Sequence, residues 1–209
     1  MPSSLQIPTL IGQSVRLEPL TIDHVDALVE AANEDRSTYF FTKVPESHGD
    51  TVSYVTGLLS LWEADETIPF VQIDVKSERV AGVTRYLTFR RAGPRQPPFA
   101  VEIGGTWLAA SAQRTVLNTE AKLLLLEYAF STMKVGRVDL KTDARNERAR
   151  LAILRLGATF EGVLRRWQPS MAPGEESLLR DSAMYSILDL EWPGVYERLS
   201  SLIVHRQGD

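Results

Sequence analysis

The chain has no cysteine in its 209 residues. That absence excludes a disulfide framework, a thiolate nucleophile and a cysteine-based metal site, and it permits a reducing compartment. Its three histidines, His24, His48 and His205, lie far apart without metal-type spacing, so no metal is expected. A large charge of one sign is missing too. The 23 basic and 27 acidic residues leave −4, which opposes broad phosphate-backbone binding, and nucleic acid is not expected as a partner. Apolar runs such as LLLLEYAF are too short to span a bilayer, and the opening MPSSLQIPTLIGQ lacks the basic start and apolar core of a leader. These features suit a soluble, cytoplasmic protein with no membrane partner. Neither GxxxxGK[ST] nor GxGxxG occurs, which weakens a nucleotide-binding protein of the commonest kinds.

With 44% hydrophobic residues the chain can build one large domain or two small ones, burying roughly 70% of its unfolded surface. Ser14 to Leu20 alternates polar and apolar residues and reads as a strand. Thr21 then serves as N-cap to a helix carrying Ile22, Val25, Leu28 and Val29, and a second helix is expected from Asp50 to Trp62. FVQIDV and VAGVTRYLTF, joined by Lys76 to Arg79, have the composition of an antiparallel hairpin. RRAGPRQPP follows as an exposed loop with solvated arginines. A strand around Glu102, a helix, a strand, a helix and further strands come next, ending in AMYSIL and a helix from Glu191 to Val204. No repeat or convincing linker interrupts this order, so one mixed α/β domain over 1–209 is the economical reading.

The run from Val101 to Gly162 carries the chemistry. Gln113 and Arg114 form a hinge before a helix for which Asn118 or Thr119 is the expected N-cap, with Leu123, Leu124, Leu126, Ala129 and Phe130 on its apolar side. Open N–H groups at such a helix start attract an anion, and Arg114 adds a formal charge, so a phosphorylated cofactor could lie there. The same residues also suit a solvated arginine and a simple cap. A second helix starts at the N-cap Asn146, carries apolar Leu151, Ile153, Leu154 and Leu156, and ends at Gly157 in the left-handed C′ position.

In sequence, QRTVLNTEAKLLLLEYAF followed by NERARLAILRLGATFEGVLRR resembles the GNAT superfamily of N-acetyltransferases, in its RimJ/RimL-type branch. LIGQSVRLEPLTIDHVDALVEA is similar to that branch's opening strand and helix, and VEIGGTWLAASAQR to its cofactor-binding strand. The resemblance implies a central, twisted, mostly antiparallel sheet of about seven strands, splayed at the cofactor site and flanked by helices. It divides the chain into acceptor-side elements (1–65), a cofactor core (66–165), and a final strand and helix (166–209).

By the same resemblance, acetyl-CoA is the co-substrate, and its acetyl group passes to a primary amine by direct attack in a ternary complex. The acceptor is a small-molecule amine or a protein N-terminus. Trp107, Leu108 and Ala109 would pair with the cofactor arm through the backbone. Gln113, Arg114, Thr115, Val116, Leu117 and Asn118 would cradle the pyrophosphate with Thr119 in the helix's first turn, and Asn146 would meet the arm from the other side. Val116 and Asn118 stand where the family's loop has glycines. Ile153 and Ala149 stand where relatives carry a tyrosine or serine acid.

For general base the resemblance favours Glu102, which as readily points to solvent or pairs with Arg85; Tyr185 could donate a proton or simply pack. An alkylammonium must lose a proton before attack, which a carboxylate at the strand mouth can accept. Tyr39, Phe40, Phe41, Trp62 and Trp167, with Arg85 and Asp50, are candidates for the acceptor pocket or for core. A non-catalytic acyl-CoA-binding module on the same fold is the alternative, and self-association through EWPGVYERLSSLI would give a homodimer.

Overall fold

The structure, a computed structural model, describes residues 8–93 and 96–207, with side chains through 204. Pro94 and Arg95 of the expected loop, the first seven residues of the opening segment and the His205 side chain fall outside these. Eight strands build one sheet: β1 (Leu10–Ile11), β2 (Val15–Pro19), β3 (Thr67–Asp74), β4 (Arg79–Arg91), β5 (Pro98–Leu108), β6 (Arg137–Asp143), β7 (Thr159–Pro169) and β8 (Leu179–Leu188). Their spatial order is β1-β2-β3-β4-β5-β6-β8-β7. The helices are α1 (Val25–Ala32), α2 (His48–Glu63), α3 (Leu117–Glu127), α4 (Glu147–Arg155) and α5 (Trp192–Gln207). The two-residue β1 is the addition to the expected sheet.

All neighbouring strands are antiparallel except β5 and β6, which pair in parallel only at Ala100↔Arg137, Val101↔Val138 and Glu102↔Asp139. Beyond Glu102 the two strands part. On its other side β5 shifts register against β4, from Val83↔Trp107 to Arg85↔Gly104. Gly105 supplies that bulge with φ +58, and a Cβ there would fall 2.4 Å from Arg85 Nε. An extra residue bends and twists its strand, so Gly104-Gly105 opens the sheet where the resemblance places the cofactor arm.

Two apolar clusters sandwich the sheet. One face packs Leu17, Phe70, Tyr86, Ile103, Tyr185 and Ile187 against Leu125 and Leu126 of α3 and Leu199 of α5. The other packs Val71, Val83 and Trp107 against Leu28 of α1 and Val55 of α2. Alternation along each strand decides which residue meets which cluster. Trp192 of α5 stacks on Phe130 at 5.4 Å, and Val195, Leu199 and Ile203 are buried. The C-terminal helix therefore buries Val195, Leu199 and Ile203 within the chain, while Tyr196 and Val204 stay exposed.

Local chemistry moved several element boundaries. Residue Ser47 caps α2, which starts two residues before the expected Asp50: Ser47 N donates to Asp50 Oδ2 and Asp50 N to Ser47 Oγ, each at 3.1 Å. Asp50 is thus a cap partner and not a pocket group; its bonds to Ser47 hold its carboxyl below the usual range. Asn118 and Thr119 lie inside the first turn of α3, which begins at Leu117, and Leu117 N donates to Thr115 Oγ1 at 3.3 Å. Asn146 caps α4 as expected, accepting from Ala149 N at 3.0 Å, and Gly157 closes it with φ +98. Leu151 and Leu154, expected on the buried side, are 62% and 43% exposed, because only Ile153 and Leu156 reach the core. Arg90, expected in solvent, forms an ion pair with the buried Asp139 on β6.

Helix α3 also buries two charged residues. Glu120 accepts from the backbone N–H groups of Gln13 (2.7 Å), Ser14 (2.6 Å) and Val15 (3.1 Å), tying the β1–β2 turn to the helix. A Cβ on Gly12 would fall 2.6 Å from the Glu120 carboxyl carbon, so the turn needs glycine. Charge-assisted bonds of this kind hold about 1.5–3 kcal/mol each. Glu120→Gln is expected to cost about 2 kcal/mol, read as a lower midpoint in urea with an unchanged slope.

Candidate active site

On the cofactor side, the turn after β5 is built without glycine. Gln113 braces it: Nε2 donates to Leu108 O (2.9 Å) and Thr38 Oγ1 (3.0 Å), while Oε1 accepts from Arg148 of α4 (2.5 Å). Leu108 O also accepts from the Tyr39 hydroxyl at 3.1 Å, and Ala109 N donates to Ala81 O at 2.8 Å. These side-chain and backbone groups hold the loop in place, leaving the splayed edge between Glu102 and Leu108 without a strand on the β6 side. Burial pushes the Tyr39 phenol up to about 12, so it stays a neutral donor.

Arg114 takes the left-handed conformation (φ +64) that glycine would usually supply, whereas Val116 is already helical (φ −69). A left-handed turn at a side-chain-bearing residue costs on the order of 1–2 kcal/mol. The missing glycines are therefore replaced by strain at a neighbouring position. The helix that follows, starting three residues after Arg114, presents first-turn N–H groups that a helix cannot satisfy internally. Across the opening, Asn146 commits Oδ1 to capping and keeps Nδ2 available. The α3 start, the unpaired edge of β5 and Asn146 are the positions to which the resemblance assigns the cofactor.

On the opposite face sits Glu102, at the last paired position before the splay. It is buried; Oε2 accepts from Lys141 Nζ at 3.1 Å and from Thr88 Oγ1 at 3.4 Å. Oε1 makes no bond among the described residues and lies 3.1 Å from where a Gly104 Cβ would stand. One oxygen is anchored and the other is open, over a glycine that leaves it room. Thr88 is β-branched yet has φ +55, a strained backbone where a register shift interrupts β4. Strain of this sort collects at functional sites. Trp107 donates from Nε1 to Tyr54 OH at 3.3 Å and meets Tyr39 edge-on, walling the same face.

Glu102 thus pairs with Lys141 and not with Arg85, the expected alternative. Tyr185 is fully buried on the α3 side, its hydroxyl accepts from Arg150 Nε at 3.1 Å, and Phe160 packs on its ring. The sheet separates it from Glu102, so the two candidate catalytic groups are not brought together, and Tyr185 takes the packing role. Ile153 is buried in the core, where it carries no proton. Of the aromatic candidates, Tyr39 reaches the site, Trp62 packs against the main core, Phe41 lies under Arg145, and Phe40 and Trp167 are exposed.

Lys141, Thr88 and Tyr54 were not singled out from the sequence. RVDLKTD alternates, so Arg137, Asp139, Lys141 and Asp143 share a face by period alone, and that signal could have found Lys141. Thr88 carries no such mark. Among the described residues no three His, Asp or Glu side chains group as a metal site, and no helix is long and apolar enough to cross a membrane.

Residues 14–159 match the family model for the acetyltransferase (GNAT) domain. Solved structures agree along nearly the whole chain. A GCN5-related N-acetyltransferase from Brucella melitensis is 27% identical with a TM-score of 0.80, over 95% of this chain and 86% of that one. A chain from T. thermophilus, described by class alone as an acetyltransferase, is 31% identical with a TM-score of 0.77, over 94% and 97%. Mycobacterium smegmatis RimJ, solved in complex with CoA-disulfide, shares the fold at 20% identity and a TM-score of 0.74, over 92% and 90%. No curated protein matches the sequence.

Proposed function

Because the chain belongs to the GNAT family and is an acetyltransferase, we propose that it moves an acetyl group from acetyl-CoA to a primary amine by direct attack in a ternary complex. The observation that carries this reading is Glu102 at the splay point, with Oε2 held by Lys141 and Oε1 open. Acetyl-CoA supplies the activated thioester. The first turn of α3 and Arg114 bind phosphate oxygens, and the free edge of β5 around Trp107 and the Asn146 amide hold the arm. Gln113, Leu108 and Ala109 fix the loop that presents them. Glu102 takes the ammonium proton, directly or through water, and Lys141 keeps the resulting carboxyl in register.

With Ile153 and Ala149 at the family's acid positions, no side chain there protonates the leaving thiolate. An ordinary thiol's pKa of roughly 8.5 makes departure without an acid tolerable. The test is to mix the protein with acetyl-CoA and an amine panel and to follow free thiol. Release that depends on the amine upholds the reading; tight CoA binding with no release on any amine favours an acyl-CoA sensor. Arg114→Ala is expected to weaken CoA about tenfold and pantetheine, which lacks the phosphates, hardly at all. Equal losses in calorimetry would remove the phosphate contact.

A further inference from the structure

Two arginines on the acceptor face have no role in acetyl transfer and no bonded counter-charge. Arg85 and Arg180 each bury Nε without a hydrogen bond, and neither guanidinium makes an ion pair among the described residues. Other arginines of the sheet and its edges do hold carboxylates: Arg16 holds Glu78, Arg90 holds Asp139, Arg137 holds Glu161 and Arg145 holds Asp143. A half-buried cation with no bonded counter-charge is costly, and the cost falls when an oxyanion reaches it.

Placement gives the pair a meaning. Arg85 on β4 lies opposite Gly104, with its Nε over Gly105. On β8, Arg180 occupies the face that Ser182 and Met184 share with Asp143 and Lys141 of β6. One face of the four adjacent strands β4, β5, β6 and β8 therefore carries Arg85, Glu102, Lys141 and Arg180, with Arg85 standing two residues before Leu87, the partner of Glu102. Asp139 and Asp143 share that face, but each is already bound by arginine. Arg85 also lines a cavity of about 400 Å³ between the end of α2 and β4, which it shares with Leu61, Thr67, Leu87 and Thr88. Asp65, Glu66 and Arg91 line it as well. Thr88 in turn touches Glu102, so the cavity adjoins the base. Helix α3, where the cofactor's phosphates are placed, packs on the opposite face of the sheet.

We infer that the acceptor amine carries an oxyanion, a carboxylate or a phosphate, which Arg85 binds in this cavity while its amine lies at Glu102, with Arg180 as the outer charge that draws it in. This rests on the acetyl-transfer reading and narrows it. The site selects an anionic amine over its uncharged twin because the twin leaves the guanidinium unpaired.

The experiment compares matched pairs with acetyl-CoA and the full chain: amino acids against their amides for carboxylate, aminoalkyl phosphates against amino alcohols for phosphate. The expected result is a kcat/KM ratio of about tenfold or more for the anionic member of one pair type, which also identifies the oxyanion. Arg85→Met should bring that ratio close to one, Arg180→Met should lower it less, and Arg85→Lys should keep part of it, with circular dichroism confirming folded variants. A ratio near one in the unaltered enzyme, or one that Arg85→Met leaves in place, overturns the inference. Should no amine release thiol, the acetyl-transfer reading fails instead. Calorimetry of the same amines on the CoA complex then decides the site: Arg85-dependent binding of the anionic members upholds it, and its absence overturns it.

Discussion

Glu102→Gln is expected to lower turnover at neutral pH by roughly a hundredfold or more while acetyl-CoA affinity stays nearly unchanged. The amide keeps the shape of the carboxylate and can still accept from Lys141 and Thr88 through its oxygen, so the fold around β5 and β6 is preserved. What it loses is the capacity to take a proton at the open position over Gly104. An alkylammonium near pKa 10 is then deprotonated only by solvent, and the residual rate should climb with pH towards the pKa of the amine. Steady-state rates across pH with a calorimetric CoA titration check this. A variant whose pH–rate profile matches that of the unaltered enzyme removes Glu102 as the base.

Lys122→Met is expected to raise stability near pH 7 by up to several kcal/mol and to leave it nearly unchanged above pH 10.5. Lys122 is buried on α3, where its Nζ donates to Thr84 Oγ1 (3.0 Å) and Thr106 Oγ1 (2.8 Å) and no carboxylate is bonded to it. Burial lowers its pKa from 10.5 to about 7. Between those values the unfolded chain binds a proton that the folded chain releases, so this group makes stability rise with pH through that window. Below about 7 the penalty is present in full, and above 10.5 it is gone. Thr84 and Thr106 also bond each other at 2.8 Å, which keeps both hydroxyls satisfied when methionine fills the space. Chemical denaturation of both proteins from pH 6 to 10.5 gives the difference; a constant gap would mean that Lys122 does not titrate in the window.

Much of the architecture was legible because its signals are local. Alternation marked β2, the β3–β4 pair and β8, and the Asn146 cap and Gly157 bounded α4. Boundaries moved where a side chain three residues away decided them, as Ser47 and Asp50 do for α2. The periodic set chosen for α3 omitted Glu120 and Lys122, since charged residues read as solvent-facing unless their partners are known. Their partners lie in the β1–β2 turn and on β4 and β5, far away in sequence.

The site divides the same way. Sequence alone determined that catalysis here uses neither cysteine nor a cysteine-bound metal, that an α/β order of elements surrounds Val101 to Gly162, and that the usual loop glycines and acid positions are replaced. Composition and short-range periodicity suffice for these, because they depend on what a residue is and on its neighbours within a turn or a strand. Only the tertiary structure decided that Glu102 is anchored by Lys141, that Tyr185 faces away from it, that Arg114 carries the left-handed turn, and that Arg85 and Arg180 have no bonded counter-charge among the described residues. Each of those depends on which strand lies beside which and on the Gly104-Gly105 bulge that parts β5 from β6, a long-range pairing that no local pattern encodes.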